Sequence, residues 1–96
     1  MQPLPENSAV VLRLLVRNHP GTMSHVCGLF ARRAFNLEGI CCLPVGDGSR
    51  SAILLLVRAD ERLEQLRLQL LKLEDVFEVT PDGAGRDVFA EVARRL

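Results

Sequence analysis

Four consecutive residues, Asn18, His19, Pro20 and Gly21, stand between an alternating apolar run and an amphipathic stretch, and their types suit ligand binding better than bond-making. A helix beginning at such a corner leaves backbone N–H groups unpaired, and its dipole favours an anion there, either a carboxylate or a phosphate. Gly21 lets a ligand approach the backbone without a Cβ in the way. Asn18 offers an amide donor and a carbonyl acceptor, the two functions a zwitterion needs for its carboxylate and its ammonium. Hydrogen bonds to a charged group contribute about 1.5–3 kcal/mol each, so three or four support binding after desolvation is subtracted. Asn, Pro and Gly are equally the commonest turn residues, so on chemistry alone a plain turn stays open.

Other residues that carry chemistry elsewhere form no site here. His25 and Cys27 have no third or fourth partner at metal-ligand spacing, so no metal is expected. Cys27 falls on the apolar stripe of its segment, where a thiolate is disfavoured, which argues against a Cys–His nucleophile. Cys41 and Cys42 are adjacent and form no CxxC pair; all three cysteines read as reduced, small, buried hydrophobes. Glu61 and Glu64 belong to a solvated helix face, so no catalytic residue is expected.

Lys+Arg and Asp+Glu balance at 12 each, and Trp and Tyr are absent, so neither a field for phosphate backbone nor a platform for stacking bases is present. No apolar run approaches a bilayer span and residues 1–8 lack a leader pattern, so a cytoplasmic protein without nucleic-acid or membrane partners is expected. Ninety-six residues allow one domain with an aliphatic core.

The elements that must position the corner follow from periodicity. Residues 9–17 put Val10, Leu12, Leu14 and Val16 on one face of a first strand, with Val11, Arg13, Leu15 and Arg17 opposite. From Met23 the spacing becomes helical, with Met23, Val26, Cys27, Phe30 and Ala34 on the buried stripe and the end near Phe35 and Asn36. His25 and Leu29 then lie on the outward flank with Arg32 and Arg33, a surface open to a partner. Residues 36–45 form a second strand confined to an edge by Pro44, and the turn at 46–49 leads into a central third strand at 51–58. A second helix follows with Asp60 as N-cap and Leu63, Leu66, Leu70 and Leu73 inward, then a short strand at 76–80. Residues 82–85 form a loop, and a third amphipathic helix runs from Arg86. The order βαββαβ predicts an α+β, ferredoxin-like fold, a four-stranded antiparallel sheet with two helices on one face. The other face, with Val11 and Leu15, then needs a cover from the third helix or a partner.

The stretch RNHPGTMSHVCGLFARRAFNLEGI, followed by LPV, resembles the ACT domain of the regulatory small subunits of acetohydroxyacid synthase (acetolactate synthase). Asn at position 18, where a generic ACT domain more often carries Asp, and the length of the chain match the isozyme I type. The resemblance implies an N-terminal lead at 1–8, an ACT domain at 9–81, and a loop and C-terminal helix at 82–96. It implies a non-catalytic subunit that activates the large catalytic subunit and confers feedback inhibition by valine on branched-chain amino acid biosynthesis. Asn18 and Gly21 would bind the amino acid, Thr22 and Met23 would contribute N–H groups, and Asn36 would reach the ligand of a neighbouring protomer. A homodimer through the second strand would place two such sites across its interface. Thiamine diphosphate, magnesium and FAD would reside on the catalytic subunit, with no cofactor here. The alternatives are a ligand-independent assembly module that stabilises a catalytic partner, and an acylphosphatase-like hydrolase using Arg17 and Asn18 at a phosphate corner.

Overall fold

The computed structural model describes residues 9–33 and 35–96; the lead at 1–8 and Ala34, assigned above to the buried stripe, lie outside the described residues. Strand β1 (Ala9–Arg17) leads into helix α1 (Thr22–Arg32), then the hairpin of β2 (Leu37–Val45) and β3 (Arg50–Arg58). Helix α2 (Leu63–Leu71), strand β4 (Val76–Pro81) and helix α3 (Gly85–Arg95) complete the chain. The strands form one antiparallel sheet in the order β2-β3-β1-β4, the split βαβ arrangement expected from the sequence. The two most apolar strands, β1 and β3, occupy its centre, and β2, with Pro44, is an edge.

Alternation decides which residues form the core. Leu12, Leu14 and Val16 of β1 and Ile53, Leu55 and Val57 of β3 point to the helix side, join Val26, Phe30, Leu66 and Leu70, and are almost wholly buried. Phe35, just past α1, meets Phe30 edge-to-face with ring centroids 6.1 Å apart and closes the core at that end.

Three local expectations are corrected. Leu29 is buried at 4 % exposure, and Cys27, expected on the buried stripe, is exposed. Both are apolar and stand on opposite flanks of the same helix, and the larger side chain takes the interior because it removes more apolar area from water. Leu29 therefore offers nothing to a partner. Cys42 is exposed as well and Cys41 half-buried, so the cysteines are not core hydrophobes. Asp60 is not the N-cap of α2: it precedes an extra turn, and Arg62 occupies the cap position.

The second face of the sheet receives α3 over one half only. Gly85 sits on Val11, where an added Cβ would come within 2.7 Å of the valine, and Phe89 packs against Gly39 of β2. Absence of side chains at these two glycines lets the helix approach the sheet closely.

Candidate functional site

The corner between β1 and α1 is shaped by Gly21, whose φ of 126° is a conformation that L side chains rarely adopt. Helix α1 starts immediately after it with no side-chain cap and no acidic residue in its first turn. The Thr22 N–H donates to the His19 carbonyl at 3.1 Å and the His25 N–H to the Gly21 carbonyl at 3.0 Å. Between them, the N–H groups of Met23 and Ser24 have no acceptor among the described residues. A helix start left in this state can accept an anion. The N–H of Thr22, one of the expected donors, is thus paired within the chain, and the N–H of Ser24 stands unpaired beside that of Met23 among the described residues.

Thr22 serves differently. It is buried, its hydroxyl donates to the Arg17 carbonyl at 3.2 Å, and a carboxylate oxygen of Asp75 lies 3.4 Å away. Asp75 in turn approaches Arg17 Nε at 3.5 Å and His25 Nδ1 at 3.9 Å, while its carbonyl accepts from the Arg17 N–H at 2.8 Å. The segment between α2 and β4 thereby ties the end of β1 to the start of α1. No local pattern announced Asp75, which lies 53 positions from Thr22.

Asn18 is held by the β2–β3 turn. Its backbone N–H donates to the Ser49 carbonyl at 3.0 Å and its Nδ2 donates to the Gly48 carbonyl at 2.8 Å. The turn is rigid for its own reasons: Gly46 and Gly48 take positive φ, and Asp47 Oδ1 accepts from both the Ser49 N–H at 2.9 Å and the Ser49 hydroxyl at 2.7 Å. Those two bonds, the hydroxyl first, hold the Asp47 carboxyl below its ordinary value. Gly48 takes one of the two Nδ2 hydrogens and so fixes the orientation of the amide, leaving Asn18 Oδ1 to accept from a ligand. The sequence marks 46–49 as a turn, but nothing in it points to the contact with Asn18, 30 positions away.

The corner thus sets an acceptor suited to an ammonium near two donors suited to a carboxylate. The recess there, lined by Asn18, His19, Thr22, Met23, Cys42 and Ile53 among others, measures only about 50 Å³. Ligand pockets generally begin near roughly 300 Å³, so the recess by itself is too small to enclose a ligand. Asn36 is not in it. Strand β2 runs parallel to β1, so Asn36 stands at the opposite end of the sheet from the corner, roughly 25 Å away at about 3.3 Å per residue. There its Nδ2 lies 3.4 Å from Glu38 Oε1, which pairs with Arg58 at 3.0 Å.

A phosphate corner built on Arg17 finds no cation. The Arg17 guanidinium faces Asp75 and the ring of Phe77, 5.9 Å from its centroid. Among the described residues no group of three His, Cys, Asp or Glu is placed to hold a metal ion, and no helix is long and apolar enough to cross a membrane.

A four-stranded antiparallel sheet with two helices on one face and a glycine-opened first βα corner defines an α+β module of the ACT type. Residues 12–78 match the family model for the ACT domain of acetohydroxyacid synthase small subunits, and the chain belongs to that family. It is 57 % identical over 84 residues to the acetolactate synthase isozyme 1 small subunit of Escherichia coli K12, covering 88 % of each chain. To the isozyme 3 small subunit of the same organism it is 37 % identical over 83 residues, and it spans 51 % of that relative's length. Its fold superposes on the acetolactate synthase small subunit of Thermotoga maritima with a TM-score of 0.71 at 36 % identity, covering 78 % of this chain and 48 % of that one.

Proposed function

We propose that this chain is the valine-sensing regulatory subunit of an acetolactate synthase. It binds L-valine at the β1–α1 corner, activates a large catalytic subunit, and mediates feedback inhibition of branched-chain amino acid biosynthesis. The observation that carries this proposal is the corner itself: Asn18 Oδ1 and the Met23 and Ser24 N–H groups, unpaired within the described chain, form a complementary set for an α-amino acid. The catalytic cofactors, thiamine diphosphate, magnesium and FAD, belong to the partner subunit, and the assembly is cytoplasmic.

The working form is a homodimer joined along β2. On the helix side of the sheet, the residues of β1 and β3 are buried, whereas Ile40 of β2 is 38 % exposed and Cys42 is exposed. Beside them α1 presents small residues, Ser24, Cys27, Gly28 and Ala31, at helical spacing. Among the described residues, only the flexible tip of Arg32 is found near the side-chain position of Gly28. A second copy docking antiparallel on β2 would cover this surface, extend the sheet to eight strands, and bring its Asn36 to the first copy's corner. The separation of Asn36 from its own corner supports a site completed between protomers.

Regulation requires that valine bind one state of the holoenzyme better than another. The test is acetolactate formation by the cognate catalytic subunit, with and without this chain, across a valine titration. The expected outcome is stimulation by the chain and its loss as valine saturates. Stimulation that valine leaves unchanged would make the chain a ligand-independent assembly module, and no stimulation would refute the regulatory assignment.

A further inference from the structure

We propose that the half of the second sheet face left uncovered by α3 is the docking surface for the catalytic subunit, which meets it with an apolar segment carrying carboxylates. The proposal rests on the regulatory assignment for the identity of the partner. The face itself is defined by register. Arg13 and Leu15 of β1 pair with Leu54 and Ala52 of β3, and Cys41 and Leu43 of β2 pair with the same two residues from the other side. All of them point away from the α1–α2 layer, and α3 reaches only as far as Val11, Leu56 and Gly39.

The exposed half is apolar to a degree that water does not favour. Leu43 is 62 % and Phe77 39 % exposed, at opposite edges of the sheet, with half-buried Leu15 and Leu54 between them. Its charge is net positive: Arg13 and Arg50 come from the two central strands, against Glu78 of β4, which is paired with Leu15. Arg13 is exposed on the central strand and forms no salt bridge among the described residues. Arg50 likewise forms none and lies over the Phe77 ring, 4.5 Å from its centroid. The Phe77 ring thus holds two guanidinium groups, Arg17 and Arg50, at the border of an apolar strip.

This charge pattern selects the occupant. A second copy pressing the same face across a two-fold axis would bring together two surfaces of the same net positive sign, which is unfavourable when desolvated. An apolar segment bearing Asp or Glu would instead cover Leu15, Leu43 and Leu54 and give Arg13 the salt-bridge partner it does not have among the described residues, with bidentate geometry available to Arg13 and Arg50. The face looks away from the α1–α2 layer and borders the β1–α1 corner at Arg17, which reaches both Phe77 and Asp75, so the catalytic partner, the second protomer and valine need not compete for one surface.

The experiment compares wild type, Arg13→Glu, Phe77→Ser and a control on the helix layer, Lys72→Glu, for binding to the purified cognate catalytic subunit by sedimentation velocity and for stimulation of acetolactate formation. Valine binding by each isolated variant, measured by calorimetry, reports that fold and corner are intact, and Arg13→Gln stands in if Arg13→Glu fails to fold. The expected result is at least about a tenfold loss of affinity for Arg13→Glu and Phe77→Ser, a matching rise in the concentration needed for stimulation, and wild-type behaviour for Lys72→Glu. Wild-type affinity in both face variants would overturn the proposal while leaving the regulatory assignment standing. Loss instead of a higher homo-oligomer in Arg13→Glu would assign the face to a second copy and overturn it too. A wild-type chain that does not bind the catalytic subunit would refute the regulatory assignment itself, and this proposal with it.

Discussion

The fold contains three βα corners, and the first two treat their helix starts in opposite ways. At the second, between β3 and α2, Asp60 Oδ1 accepts the Arg62 N–H at 2.7 Å and the Asp60 carbonyl accepts the Leu63 N–H at 3.1 Å. Glu64 follows in the first turn of α2, paired with Arg67. That helix start carries its own anions. The first corner has a glycine where a carboxylate would serve, no acid in its first turn, and two N–H groups without acceptors among the described residues. A self-satisfied corner needs no ligand, whereas one left unsatisfied at an exposed position is open to an external carboxylate, the role proposed for it above.

The most direct way to break this contrast is to make the first corner resemble the second. Gly21→Asp places a carboxylate where the ligand's own belongs and puts a side chain at a φ of 126°, so valine binding should fall by more than about 100-fold, roughly the contribution of two charged hydrogen bonds. Circular dichroism and a melting curve check that the fold survives. Asn18→Ala removes the ligand's acceptor and the tie to Gly48, and calorimetry should show valine binding weakened by about 10- to 100-fold.

Asn36→Ala sharpens the contrast by testing the far end of the sheet. Affinity should fall by about tenfold in the dimer, with no change in the melting temperature beyond a degree or two; an unchanged affinity would count against a site shared between protomers. The converse substitution, Asp60→Ala, should leave valine affinity untouched and lower the melting temperature by a few degrees, because that corner binds only itself.

The smallest effect concerns pH. The carboxyls of Asp47 and Asp60 lie below their ordinary value of 3.8, chiefly through hydrogen bonds from the Ser49 hydroxyl and the Arg62 N–H respectively. A lowered folded-state pKa gives stability that is fully present above the unfolded value and is lost as pH falls through the folded one. These two groups should therefore add nothing to pH dependence between 5 and 8 and contribute to acid unfolding only below about 4. Melting scans of Asp47→Asn should show a shallower decline in that acid range, and a change near neutrality would contradict the assignment.

Strand order, edge position and both faces of β1 were legible because alternation and Pro44 constrain them strongly. Rotation of α1 was not, because Leu29 and Cys27 satisfy an apolar stripe on either flank and only packing against the sheet decides between them. Asn18 and Gly21 stood out as residue types, whereas their supports did not. Asp75 and the Asp47–Ser49 turn act across 30 or more positions, a distance at which a single sequence carries no local signal. The start of α2 was misplaced because Asp60 has the residue type of an N-cap but uses its carboxylate two residues ahead of the helix.

One measurement bears on the central claim more directly than the rest: calorimetric titration of the purified chain with L-valine, alongside Gly21→Asp. The expected result is heat with one valine bound per protomer in the wild type and none in a folded Gly21→Asp variant. No heat and no rise in melting temperature at millimolar valine, or equal heat in both proteins, would contradict a ligand site at the first corner.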